Sequence, residues 1–255
     1  FYRSFQGSAR WNSFRIKVET TDLYIRTRRL NERETTLLVE DTRKAIREHI
    51  EMQPDFLTSL KPVPRIPGAV PLIARMYEAG EKSGTGPMSS VAGIIAETVG
   101  RALMRYNDEV IVENGGDNWM SLQSPASIAV YAGTSVFTGR IALAIDETYG
   151  PVGVCTSSGR VGHSLSFGKA DSVTVISPDA ALADAVATGA CNIVQEKSDL
   201  ERALDYACSV EGIHGALIIF RDSLAARGTI EIIDPSAPPS RTDVETGAYH
   251  GDPHE

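Results

Sequence analysis

The chain has 255 residues, with 25 Lys plus Arg against 33 Asp plus Glu, for a formal charge of −8. Hydrophobic residues make up 42 % and charged residues 23 %, ordinary values for a globular protein able to bury a sizeable core. The acidic balance argues against a non-specific binder of nucleic acid or anionic membrane, since both need a basic face.

Three cysteines are too few, and odd in number, for a disulfide-stapled scaffold. Cys155, Cys191 and Cys208 also lack the paired short spacing of a zinc site. No run of about 18 apolar residues suggests a transmembrane helix. The start, Phe1 to Gly7, has no apolar core leading to a cleavage site, so no signal peptide is expected. A reducing cytoplasm is the expected compartment.

In chain order, Trp11 to Thr27 reads as two strands around a turn at Thr20-Thr21-Asp22, with Phe14, Ile16 and Val18 alternating with polar residues. A helix is expected from Asn31 to His49, with Asn31 as N-cap and Leu38, Ala45 and Ile46 in its apolar stripe. Five prolines between Pro54 and Pro71 predict a winding connection, and Val70 to Lys82 a further helix. Met88 to Met104 reads as a helix buried nearly all round. Val110 to Val112 and Trp119 to Leu122 read as strands joined by the hairpin signal Asn114-Gly115-Gly116-Asp117. Further strands are expected at Ile128–Tyr131, Ile141–Ile145 and Ser172–Ile176. Asp179–Val194 and Asp199–Val210, the latter capped by Ser198, read as helices, and Ala216–Phe220 with Thr229–Ile233 as a closing strand pair. This order mixes hairpins with helices, which predicts an α+β fold with a mixed or antiparallel sheet. Residues 1–234 are expected to form one domain and 235–255 a tail.

Four segments carry candidate chemistry. Asp184 and Thr188 lie four apart on a helix otherwise rich in alanine, so both leave one face. A carboxylate and a hydroxyl placed so suit Mg²⁺, which takes oxygen ligands and keeps waters or phosphate oxygens. The same letters also fit a solvent-facing Asp184 and a Thr188 bonded to its own i−4 carbonyl. In Asn114-Gly115-Gly116-Asp117 the glycines admit close approach of a ligand and Asp117 can accept from a ring imide or ribose; a plain hairpin explains the same residues.

The third segment, Gly153 to Gly159 followed by Gly162-His163, reads as a loop whose amides and hydroxyls, including Thr156 and Ser157, can cradle an anion. His163 is its acid/base candidate, and Cys155 a candidate nucleophile; a surface loop with a buried inert cysteine is the alternative. Gly84-x-Gly86-Pro87 can present a helix N-terminus to phosphate but lacks the P-loop Lys-Ser/Thr.

Taken in order, Gly86 before its helix, Asn114 to Asp117, Thr156-Ser157, His163, Ser172 to Val175 and Ala183-Asp184-Ala185-Val186-Ala187-Thr188 resemble the ApbE-like family, whose best-known members are FAD:protein FMN transferases. The resemblance implies an FAD pocket formed by Gly86, Asn114, Gly115, Gly116, Asp117, Thr156 and Ser157. It also implies Mg²⁺ held by Asp184 and Thr188, and transfer of FMN to a protein threonine with release of AMP. A flavin nucleotide and a protein substrate are the implied partners, with a homodimer open.

Three departures mark a divergent branch, one being Cys155 where the transferases usually have a small inert residue. Pro87-Met88 stands where the transferases carry a lysine and a second glycine, and the family's His-x-x-Asp-Pro element reads His163-Ser164-Leu165-Ser166-Phe167. The alternatives they raise are a non-catalytic flavin or nucleotide carrier, or a sulfur-assimilation enzyme forming homocysteine with Cys155 as a persulfide carrier.

Overall fold

The computed structural model describes residues 11–159 and 167–235. An amphipathic hairpin opens it. In β1 (Asn12–Val18) Phe14 and Ile16 point inward and the polar residues between them point out, while β2 (Thr21–Thr27) buries Leu23 and Ile25 fully. The turn lies one residue earlier than the sequence predicts, with Val18 paired to Thr21. Glu19 adopts a left-handed φ of 52° there, and Arg43 and Arg47 hold its carboxylate from the next helix.

That helix, α1 (Glu32–Met52), buries Thr35, Val39, Thr42, Ile46 and His49, a stripe more polar than expected. Thr35 and Thr42 pass inside because each hydroxyl donates to the carbonyl four residues back. Asn31 stands at the N-cap but its side chain donates to Glu34 instead of capping. The proline-rich connection contains the short α2 (Asp55–Thr58) and leads to α3 (Pro71–Ser83), which ends on Gly84 at φ 71°. Pro87–Ser90 forms a 3-10 turn and α4 (Val91–Leu103) follows.

The remaining elements are β3 (Val110–Asn114), β4 (Asp117–Ser121), β5 (Ala126–Ala129), β6 (Ala142–Ile145), β7 (Val152–Ser157), β8 (Ser172–Ser177), α5 (Ala180–Ile193), α6 (Leu200–Ser209), β9 (Gly215–Phe220), β10 (Ser223–Gly228) and β11 (Glu231–Ile233). Eight strands make one sheet in the order β1-β2-β3-β4-β7-β8-β9-β10, and every pairing in it is antiparallel. One face packs on the helices. The other carries a three-stranded sheet, β11-β6-β5, over Met120, Val154, Ile176 and Leu217. The fold is α+β, as the mixture of hairpins and helices predicts.

Three expectations change. The Gly153–Ser157 segment is the central strand β7, not a loop, because Gly153, Cys155 and Ser157 face the helices while Val152 and Val154 face the small sheet. Ala216–Phe220 pairs with Ser223–Gly228, not with 229–233, through a turn in which Arg221 takes φ 58°; β11 joins β6 instead. The last helix has no side-chain cap from Ser198: its N-cap position is Asp199, and the reciprocal pair Glu196 and Asp199 caps the 3-10 turn Lys197–Asp199 that leads into it.

Helix α5 explains its own composition. Ala180, Ala181, Ala183, Ala185, Ala187 and Ala190 are all fully buried between the sheet and α3, α4 and α6. A Cβ on Gly153 of β7 would lie 2.5 Å from the Ala180 Cα, and one on Gly93 of α4 would lie 2.2 Å from the Ala180 carbonyl oxygen. Small residues on all three elements let their backbones meet.

Candidate functional site

At the end of the sheet where β3 turns into β4, Asn114 pairs with Asp117 across Gly115 (φ 66°) and Gly116 (φ 115°). Two positive φ values in a two-residue turn require residues such as these glycines. Asn114 donates its side-chain amide to the Ala92 carbonyl at 3.1 Å, which ties the turn to the first turn of α4. Asp117, only 5 % exposed, accepts the Thr156 amide of β7 at 3.2 Å.

Asp184 of α5 comes to the same place. Asp184 is 7 % exposed and its carboxylate accepts the Gly93 amide at 2.9 Å. It thus caps α4, whose own N-cap residue, Ser90, makes no side-chain cap. The solvent-facing alternative for Asp184 does not hold. Thr188, half-buried one turn further along the same face, makes no hydrogen bond to its i−4 carbonyl or to any described residue.

Two buried carboxylates side by side dominate the electrostatics. Burial pushes the Asp117 carboxyl up to about 7; the Thr156 amide and the Cys155 thiol oppose that rise, and the charge of Glu113 adds to it. Burial, then the charge of Asp117, holds Asp184 well above the usual carboxylate range against the amides at the start of α4. Among the described residues no Lys or Arg forms an ion pair with either. Glu97 of α4, fully buried nearby, is neutralised differently. It receives Arg75 at 2.8 Å, Arg101 at 2.7 Å and the Ala180 amide at 2.9 Å, and so anchors the start of α5.

The structure brings together Asn114, Gly115, Gly116, Asp117, Cys155, Thr156, Ser157 and Asp184. Ser157 faces the same layer, and its buried hydroxyl, 3 % exposed, has no hydrogen-bond partner. Thr156 points to the opposite face, where its hydroxyl meets that of Thr174 at 2.9 Å. Gly86 stands apart. A Cβ on it would lie 1.7 Å from the Ser59 carbonyl oxygen, and its own carbonyl accepts from the Ser89 amide and hydroxyl, so its packing explains the glycine. His163 lies outside the described residues.

Cys155 is fully buried in β7 and donates to the Ala180 carbonyl at 3.4 Å. Burial, then the charges of Asp117 and Asp184, pushes its thiol well above the ordinary range. These surroundings oppose the thiolate that a nucleophile or persulfide carrier needs. The site also includes the Gly93 amide, which sequence reasoning missed; a glycine near the start of an Ala/Ile/Val-rich helix was its trace.

No group of three or more His, Cys, Asp or Glu side chains among the described residues is arranged to hold a metal ion. A hard cation at this site would rest on few protein oxygens, which suits Mg²⁺ but not Zn²⁺. Two carboxylates with no basic partner among the described residues, beside the unpartnered Ser157 hydroxyl, fit a cation and a polar ligand.

Comparison with known proteins agrees with this fold. A family model described as AbpE bacteria matches residues 3–224. A UPF0280 protein of Methanocaldococcus jannaschii is 37 % identical over 198 residues, covering 76 % of this chain and 80 % of the relative. One from Methanopyrus kandleri is 36 % identical over 229 residues, covering 85 % and 90 %. The flavinyl transferase ApbE of Pseudomonas stutzeri, in its apo form, superposes with a TM-score of 0.56 at 15 % identity, over 86 % of this chain and 94 % of that one. The flavin transferase ApbE of Vibrio cholerae gives 0.51 at 15 % identity, over 86 % and 96 %. The chain belongs to the AbpE bacteria family and shares the fold of the ApbE flavin transferases.

Proposed function

We propose that this site binds a flavin dinucleotide, FAD, together with Mg²⁺, and that the protein transfers the FMN portion to a threonine of a protein substrate. The observation that supports it most is the pair of buried carboxylates, Asp117 and Asp184, with no basic partner among the described residues, beside a double-glycine turn and the first amides of α4. A buried anionic pair of this kind is costly unless a cation or protons compensate it.

In this reading Asp184 and the hydroxyl of Thr188 hold Mg²⁺. When bound, the ion neutralises the charge of the nucleotide's pyrophosphate. Asp117 accepts from the flavin or ribose, and Gly115 and Gly116 let the ligand lie close to the backbone. Ser157 supplies a hydroxyl that has no other partner. In the transfer, a bond forms between the acceptor threonine oxygen and the FMN phosphorus, and the bond to AMP breaks. Positioning and charge neutralisation do most of the work in such a step. The acidic character of the pocket fits this reading better than the persulfide chemistry, since Cys155 is buried among carboxylates.

Incubation with FAD, Mg²⁺ and a threonine-bearing flavin-acceptor protein tests it. The expected result is release of AMP and a fluorescent protein band. Tight FAD binding with no AMP would leave a nucleotide carrier and overturn the transfer; no FAD binding would overturn both.

A further inference from the structure

We infer that Glu97 is a positioning residue for the proposed cation site: held by Arg75, it fixes the first turn of α5 and so sets where Asp184 stands. The inference rests on the reading of Asp184 and Thr188 as Mg²⁺ ligands.

Helices α4 and α5 cap each other. Glu97 of α4 accepts the Ala180 amide at the start of α5 at 2.9 Å, and Asp184 of α5 accepts the Gly93 amide at the start of α4 at the same distance. Ala180 and Asp184 lie one turn apart along α5, as Gly93 and Glu97 do along α4. The two bonds therefore fix the axial position of one helix against the other. Gly93 closes the contact sideways, since a Cβ there would lie 2.2 Å from the Ala180 carbonyl oxygen and 2.9 Å from the Asp184 Cβ.

Glu97, fully buried, has both oxygens in use. Oε1 accepts Arg101 at 2.7 Å, and Oε2 accepts Arg75 at 2.8 Å as well as the Ala180 amide. Arg75 reaches in from α3 and also pairs at 2.9 Å with Asp179, whose carboxylate caps α5 by accepting the Leu182 amide at 3.0 Å. One guanidinium thus holds both carboxylates that receive the first amides of α5. Thr188 lies one turn beyond Asp184, so a tilt of α5 at Ala180 would carry both proposed ligands with it. Mg²⁺ demands near-ideal octahedral geometry, and a small displacement of its ligands costs affinity.

Three substitutions separate positioning from packing. Glu97→Gln keeps an oxygen for the Ala180 amide, whereas Glu97→Leu does not. Arg75→Met leaves Glu97 in place without its partner on α3, at a side chain 31 % exposed. In FAD binding, Glu97→Leu should raise the half-saturating Mg²⁺ concentration roughly tenfold, Arg75→Met about threefold and Glu97→Gln less than about twofold. A purely structural role gives lower thermal midpoints with an unchanged Mg²⁺ requirement in the folded protein.

A second readout needs no ligand. Hydrogen exchange of the Gly93 amide, whose acceptor is Asp184, is followed by NMR in the full chain against the amides of β8. It should quicken more than they do in Glu97→Leu and Arg75→Met, and keep its rate in Glu97→Gln. Quickening at Gly93 no greater than in β8, or an unchanged Mg²⁺ requirement in Arg75→Met, would overturn the inference. Should Glu97→Leu fail to fold, the same two readouts in Arg75→Met decide. If the unaltered protein shows no Mg²⁺-dependent FAD binding while the Gly93 order holds, the nucleotide reading fails and the hold of Glu97 on Asp184 stands.

Discussion

Asp184 accepts the backbone amide of Gly93 at 2.9 Å across a sequence separation of 91 residues, so α5 supplies the cap that α4 lacks. This one contact joins stability to the site, because the same carboxylate is the proposed cation ligand. Replacing Asp184 with alanine removes the acceptor and strands buried donors. The expected loss is about 1–3 kcal/mol in denaturant unfolding. Asp184→Asn keeps an acceptor and should cost less than half as much, while still abolishing Mg²⁺-dependent nucleotide binding.

Gly93 and Gly153 should resist even alanine. A Cβ on Gly93 would lie 2.2 Å from the Ala180 carbonyl oxygen and one on Gly153 2.5 Å from the Ala180 Cα. Both obstacles are backbone, so α5 would have to move. Each substitution is expected to destabilise by about 2 kcal/mol or more, read as a lower thermal midpoint. Gly115→Ala, with open space around it but φ 66°, should cost only about 1 kcal/mol.

Asp117 should make the ligand-free protein less stable as pH rises from about 4 to about 7. Its carboxyl is raised to about 7 in the fold, whereas an unfolded aspartate ionises near 3.9. Between those values the native state binds the extra proton, so unfolding releases it and is favoured by higher pH. Asp184 contributes with the same sign. Asp117→Asn should flatten that slope and stabilise the apoprotein at pH 8 by roughly 2 kcal/mol. Chemical denaturation at several pH values reads the slope directly, and a profile of the unaltered protein that rises across the window would contradict the assignment.

Alkylation separates the three cysteines. Cys155 and Cys191 are buried and Cys208 is half-buried. Native protein at pH 8 should be labelled by iodoacetamide at Cys208 first, with Cys155 labelled only after unfolding, as peptide mass spectrometry would show. Rapid labelling of Cys155 in the native state would revive its reading as a reactive thiol.

Much of the fold was legible because its signals are local. The Asn114-Gly115-Gly116-Asp117 turn, the Ala-rich α5 and the α+β class follow from backbone requirements and periodicity that the residues state openly. β7 was hidden because Gly153, Thr156 and Ser157 read as loop residues, while glycine was there to admit Ala180. The β9–β10 hairpin was hidden because its left-handed residue is Arg221, not glycine or asparagine. In the site, spacing placed Asp184 and Thr188 on one face. The partnership of Asp184 with Gly93 and its neighbourhood with Asp117 depend on contacts far apart in sequence, which no local pattern encodes.

Equilibrium titration with FAD, followed by flavin absorption and fluorescence in the presence of Mg²⁺ and again with EDTA, bears most directly on the pocket. The expected result is saturable binding with Mg²⁺ that EDTA abolishes and that Asp184→Asn loses while remaining folded. Absence of saturable binding by the unaltered protein, or binding indifferent to both EDTA and Asp184→Asn, would contradict it.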